Sequence, residues 1–82
     1  MADVTYYVAL PFVMSDDGPA PREGVECTSA SAAIVRAEVL SRKEENIGAV
    51  AFSRTGDPSL GEFADAVLLR AFGDVPTDLS GL

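Results

Sequence analysis

The sequence predicts an α+β domain of order β-α-β-β, in which one helix packs on one face of a three-stranded sheet. Three observations support this fold class. Aromatic and β-branched residues dominate positions 4–13, a helical repeat of small apolar residues occupies 29–45, and short apolar runs lie at 47–53 and 65–72. Three strands against one helix is about the minimum for independent stability.

The first strand is predicted at residues 4–13, which read VTYYVALPFV. Its even-numbered residues are apolar or aromatic and share one face, whereas the other face is more mixed. Pro11 cannot donate a ladder hydrogen bond, so we place it near the strand's end or on an edge. Residues 14–27 contain prolines, glycines and the turn sequence DDG. We therefore expect a mobile connection there, and a frayed tail at 74–82.

The helix predicted at 29–45 carries two apolar sides. Thr28 or Ser29 can cap its first amides. The main apolar stripe has i, i+3, i+4, i+7 spacing and consists of Ala30, Ala33, Ile34, Ala37 and Leu40. Ala32, Val35 and Val39 lie on nearly the opposite side, where an exposed helix normally carries charge. We predict that these three residues contact a partner chain or the 14–27 connection. Scattered exposed valines are the alternative.

The C-terminal half holds one clear strand and one ambiguous stretch. Residues 47–53 form a short apolar run, and a strand, a helix and a strand in this order predict a right-handed crossover between parallel strands. Residues 58–72 read PSLGEFADAVLLRAF, which fits either a capped helix or a buried strand. A helix would leave two parallel strands at sheet edges. We therefore predict a strand at 65–72, with a β-α-β-α fold completed by a partner as the alternative.

Composition excludes several kinds of chemistry. The chain has 13 acidic and 6 basic residues, and its net charge of −7 disfavours nucleic-acid and membrane partners. It has no histidine, which excludes Ser-His-Asp and Cys-His catalysis and histidine-ligated metals. Its single cysteine, Cys27, cannot form an internal disulfide, so a reducing, cytoplasmic setting is expected. We predict no catalytic residue, no cofactor and no metal.

The candidate ligand-binding residues are Arg54, Thr55, Asp57 and Arg70. Residues 54–63 read RTGDPSLGEF and would form an unusually long hairpin loop that presents donors and acceptors. Arg54 and Arg70 would flank the hairpin, where two guanidinium groups can fork a carboxylate or phosphate. Ordinary turn chemistry and surface ion pairs are the alternative explanation for these residues.

Acids and the thiol offer weaker candidates. Asp57, Glu62 and Asp65 lie around one turn, where solvation explains them as well as a divalent metal does. Cys27 precedes the predicted helix, whose N-terminus favours a thiolate. Glu23 and Glu26 are near it in sequence and oppose thiolate formation. We therefore predict an inert, buried cysteine.

Residues 48–76, GAVAFSRTGDPSLGEFADAVLLRAFGDVP, follow the segment RAEVLSRK. This pattern resembles a group of short bacterial proteins, mainly alphaproteobacterial, that have no assigned activity. The resemblance covers about residues 28–78 and implies a small bacterial domain, with no catalytic or ligand residues to carry over.

Together these features predict a small cytosolic interaction or regulatory module without catalysis, which binds protein and associates with itself. The alternative is a small-molecule or anion binder that uses the 54–63 loop. An enzyme would have to work through carboxylates or Cys27.

Overall fold

The computed structural model describes residues 3–77, and this part of the chain is mostly β: 51% strand and 16% helix. Its elements in chain order are β1 (Val4–Ser15), β2 (Gly18–Pro21), β3 (Val25–Cys27), α1 (Ala30–Ser41), β4 (Gly48–Asp57), β5 (Glu62–Phe63) and β6 (Val67–Gly73). The six strands form one sheet, which curls into a half-barrel.

All the strand pairs of the sheet are antiparallel. At its centre, β1 and β4 pair over nine residues, from Val4 opposite Gly56 to Phe12 opposite Gly48. The far side of β1 pairs with β2 and β3, and the far side of β4 pairs with β5 and β6. The half-barrel is therefore built outward from the β1–β4 pair.

The predicted three-stranded β-α-β-β sheet is wrong, and so is the alternative β-α-β-α fold. Residues 14–27 are the cause, because they contain strand structure instead of an irregular connection. The chain turns at Ser15–Gly18, where the Ser15 hydroxyl donates to the Gly18 carbonyl (2.6 Å) and Gly18 has a φ of 102°. It then returns along β1 as β2 and β3. This extra pass means that β4 enters antiparallel to β1, not parallel as the crossover predicted.

Two local predictions are confirmed. Helix α1 begins after Ser29, whose hydroxyl accepts a hydrogen bond from the Ala32 amide (3.1 Å), and it ends at Ser41, earlier than predicted. The Asn46 side-chain amide donates to the Leu40 carbonyl (2.9 Å) and so satisfies one of the last helical carbonyls. The ambiguous C-terminal stretch contains a strand, β6, rather than a helix.

Alanine side chains fill the space between α1 and the sheet. Ala33 and Ala37 on the helix are fully buried, as are the sheet residues Ala9, Ala49 and Ala51. Alanine has no atoms beyond Cβ, so the helix lies close to the strands. Larger side chains surround this layer, namely Tyr7, Ile34, Leu40, Leu69 and Phe72. The short distance between α1 and the sheet therefore depends on the small alanine side chains at the centre of their contact.

The opposite face of the sheet holds the larger buried side chains. Leu10, Phe12, Val50 and Phe52 form this second cluster. Within the described residues no helix covers it, and the curl of the sheet brings in Val8, Ile47, Leu68, Ala71 and Val75 as partly buried neighbours. At Gly48, the start of β4 lies close to the end of β6 and the residues after it. A Cβ on Gly48 would collide with the Phe72 carbonyl oxygen and would lie 2.6 Å from Val75 Cγ1, so this close contact requires glycine.

The pairing of β4 with β6 contains an irregularity. Ala51 is opposite Arg70, whereas Phe52 is opposite Leu68, which leaves Leu69 as an extra residue on β6. Leu69, like Phe72, packs against the alanine cluster on the helix side of the sheet. The bulge thus sends an additional apolar side chain toward α1.

One sequence prediction concerns the end of the chain. The frayed tail predicted at 74–82 lies outside the described residues from position 78 onward. Within residues 3–77, no helix has the length and apolar character needed to cross a bilayer.

We expect Ala37→Leu to lower the free energy of unfolding by about 1–3 kcal/mol, because the larger side chain must push α1 away from the sheet. The measurement is chemical denaturation followed by circular dichroism at low micromolar concentration. Ala32→Leu is the matched control, since it makes the same change on the outer side of the same helix and should alter stability by less than about 0.5 kcal/mol. Equal losses in both variants would contradict the close alanine contact.

Candidate functional site

The structure places Arg54 and Thr55 on opposite faces of β4, because successive residues of a strand alternate. The Arg54 Nε donates to the Ala64 carbonyl (3.0 Å), and the guanidinium lies 6.0 Å from the centre of the Phe63 ring. Thr55 Oγ1 is 2.8 Å from Thr5 Oγ1 across the β1–β4 ladder. Both predicted ligand residues thus contact neighbouring strands or the chain beside them.

Asp57 closes the turn between β4 and β5. Its Oδ1 accepts hydrogen bonds from the Ser59 hydroxyl (2.7 Å) and the Ser59 amide (2.9 Å). The Asp57 carbonyl also accepts from the amides of Leu60 (3.1 Å) and Gly61 (3.0 Å). The Ser59 hydroxyl, followed by the Ser59 amide, lowers the pKa of Asp57 below its ordinary value. This carboxylate therefore has a structural role within the turn.

The structure does not bring Arg70 to the other predicted ligand residues. Arg70 is opposite Ala51 on the helix side of the sheet, and its guanidinium lies 5.9 Å from the centre of the Phe72 ring. Arg54 shares the other face with Phe52. Two guanidinium groups on opposite faces do not fork one anion.

Acidic and thiol groups are also dispersed. Among residues 3–77, no three histidine, cysteine or acidic side chains lie close enough together to hold a metal ion. Cys27 is partly buried, and its Sγ donates to the Val25 carbonyl (3.5 Å). No polar or charged side chain is buried in the described part of the chain.

The predicted partner residues form one continuous surface. Ala32, Val35 and Val39, here called the helix strip, lie together on the outer side of α1, where they line a shallow apolar depression with Ser31 and Arg36. Val35 is 60% exposed and Val39 is 45% exposed. The 14–27 segment therefore does not cover them, which removes one of the two contacts considered from the sequence.

Positive charge borders the helix strip. Arg36 follows Ala32 by four residues on α1 and lines the same depression as the strip. The Arg36 side chain is exposed and forms no ion pair with any residue in the 3–77 range. Arg42, by contrast, pairs with Glu38 at 3.2 Å. Arg36 therefore places one positive charge at the border of the strip.

A second exposed surface was not recognised from the sequence. The hairpin tip, residues 57–62, carries Leu60, which is 67% exposed. Asp57 and Glu62 are directly opposite each other at the base of this tip, so two carboxylates share one face of the hairpin. Reading the stretch as a ligand-binding loop obscured this combination of an apolar apex and acidic flanks.

No protein-family model matches this chain, and neither a curated protein nor a solved structure shows significant similarity to it. Two exposed surfaces remain as candidate contact sites: the helix strip, bordered by Arg36, and the hairpin tip, with its two carboxylates.

We expect Ser59→Ala to raise the pKa of Asp57 toward its ordinary value, because the strongest hydrogen-bond donor to the carboxylate is lost. A pKa held low by folding stabilises the turn above the ordinary pKa, and this stabilisation is lost as the pH falls through the folded pKa. An NMR titration of the Asp57 carboxyl carbon measures the shift. Ser31→Ala is the control and should leave the titration unchanged. A normal Asp57 pKa in the wild type would contradict the turn geometry.

Proposed function

We propose that the chain is a small interaction module without catalytic activity, which associates with itself through the helix strip. The observation that carries this proposal is the exposure of Val35 and Val39 on one side of α1, while Ala33 and Ala37 on its other side are fully buried. An apolar strip bordered by charge is the usual composition of a binding surface with an apolar centre and a polar rim.

The thin interior of the domain supports association. Among its fully buried side chains, Val50 is the largest in the described residues, and the helix-side core consists of alanines. Small domains bury a smaller fraction of their surface than large ones and are often stabilised by oligomerisation. Covering two exposed valines would contribute about 1–3 kcal/mol, since each side chain is already partly buried.

Catalysis has little support from the side chains present. Histidine is absent from the sequence, and the Cys27 thiol hydrogen-bonds to a local backbone carbonyl. The small-molecule or anion binder is also less well supported, because Arg54 and Arg70 lie on opposite faces of the sheet. We further propose a reducing, cytoplasmic setting, since one cysteine cannot form an internal disulfide.

We expect the wild-type chain to exceed its monomer mass of 8.6 kDa at high micromolar concentration, as measured by light scattering and sedimentation equilibrium. The double variant Val35→Ser with Val39→Ser should associate at least about tenfold more weakly, because it removes the apolar centre of the strip.

Val67→Ser is the matched control for this experiment. Val67 is 58% exposed, similar to Val35, but it lies on β6. Its substitution should leave the association constant unchanged within about twofold. A wild-type chain that stays monomeric would refute the proposed function, and equal weakening by Val67→Ser would place the contact elsewhere.

A further inference from the structure

We infer that the edge of the sheet formed by β2 and β3 is closed to strand addition, so that neither a second copy nor an extended peptide lengthens the sheet there. Within residues 3–77, each of these two strands pairs with β1 alone. A half-barrel leaves such edges unpaired, whereas a closed barrel has none. This closure is a property of the sheet and does not depend on whether the chain associates through the helix strip.

Two hydrogen bonds fix the direction of the backbone groups on β1. In an antiparallel ladder, the N–H and C=O of one residue point to the same side of the strand, and those of the next residue point to the other side. The Phe12 carbonyl accepts from the amide of Ile47, which directly precedes β4 (2.9 Å). The Pro11 carbonyl accepts from the amide of Arg22, which directly follows β2 (2.8 Å). Odd-numbered residues of β1 therefore direct their backbone groups toward β2 and β3.

The strand register carries this alternation onto β2. Ala20 is opposite Val13, an odd-numbered residue of β1, so the backbone groups of Ala20 point toward β1. Pro19 and Pro21 are opposite even-numbered residues, so their nitrogens point away from the sheet. Proline has no N–H. Both outward positions of β2 are therefore prolines, and the outer edge of this strand offers carbonyl oxygens but no donor.

Strand β3 continues the same edge with only three residues. Val25 and Cys27 are opposite odd-numbered residues of β1, so their backbone groups face β1. Glu26 lies between them, and its backbone groups face outward. Its side chain is exposed, so in a pairing of two copies at this strand it would bring together two like charges. A single outward N–H beside a charged side chain is a poor site for a further strand.

The features of this edge act together. Strand addition depends on a regular row of outward N–H and C=O groups, which supply the main-chain hydrogen bonds of the new pair. Proline, charged side chains and very short strands each interrupt such a row, and natural sheets use all three to prevent pairing at an edge. Here Pro19, Pro21 and Glu26 occupy every outward position of β2 and β3.

Amide hydrogen exchange tests the direction of the backbone groups. The double variant Pro19→Thr with Pro21→Thr, here called the edge variant, is studied by NMR at low concentration, where it is monomeric. The amides introduced at positions 19 and 21 should exchange at least about tenfold faster than the Ala20 amide between them, because only the Ala20 amide bonds to β1. Slow exchange at position 19 or 21, or equally fast exchange at Ala20, would overturn the assignment.

Strand addition itself is tested in the double variant of the helix strip, which lacks the apolar centre of that surface. The two substitutions of the edge variant are added to this background, and the matched control adds Pro58→Thr and Pro76→Thr instead. All four prolines are exposed, but Pro58 lies in the hairpin tip and Pro76 follows β6, so the control makes the same chemical change away from the edge. Threonine favours strands without adding a large apolar side chain.

We expect the edge substitutions to strengthen association at least about tenfold over the control, because they restore two outward donors. Sedimentation equilibrium measures the association constant, infrared spectroscopy of the amide I band detects antiparallel pairing between copies, and circular dichroism checks that each variant is folded. The control should match its parent within about twofold.

The two proposals fail in different ways. Equal association of the edge and control variants, or association without the infrared signal of strand pairing, would overturn the closure of this edge by its prolines. A wild-type chain that remains at 8.6 kDa refutes self-association through the helix strip and has no bearing on the comparison of these two variants.

Discussion

The antiparallel pairing of β1 with β4 is the constraint on which the rest of the molecule depends. These strands pair over nine residues and are apolar on both faces at their centre, where Ala9 and Ala51 point to one side and Leu10 and Val50 to the other. A sheet buried on both faces needs two covers. A domain with one helix supplies only one of them, so the sheet itself must curl to close the second face.

The two faces meet this requirement with different side chains. The helix face uses alanines, which allow close approach and leave little room for substitution. The curled face uses leucine, valine and phenylalanine, whose bulk fills the concave side. As a result α1 has one side tightly seated and one side, the helix strip, left open to solvent. The strip is exposed because the domain has a single helix, and no second element packs on its outer side within the described residues.

The sequence predicts parts of this fold for clear physical reasons. Helix α1 has a regular repeat, a capping serine and many alanines, and these local signals are strong. The direction of β4 depends on how many times the chain crosses the sheet before it, which is not a local property. The prolines and glycines of residues 14–27 predict an irregular connection. In the structure, this segment contains β2 and β3, which pair with the edge of β1. One unrecognised pass reverses the direction of every later strand.

The same distinction applies to the candidate site. Val35 and Val39 stand out from the sequence because helical periodicity assigns each residue to a side. Whether Arg54 meets Arg70 depends on strand register and on the bulge at Leu69, which pairwise spacing does not reveal. The hairpin tip was not recognised from the sequence, because the pairing of Asp57 with Glu62 across two strands is visible only in the structure. The side of an element on which a residue lies can therefore be predicted from the sequence, whereas a relation between two strands cannot.

The bulge at Leu69 has a consequence for how the molecule behaves among its own copies. Strand β6 pairs only with β4 within residues 3–77, so its outer backbone groups are available as a template for stacking further strands. An inserted residue increases the local twist and breaks the even spacing of these groups. If β6 of one copy paired with β6 of the next in a fibril, the bulge would disrupt the hydrogen-bond spacing at each step. The bulge therefore protects the mostly apolar edge strand β6 against amyloid-like growth.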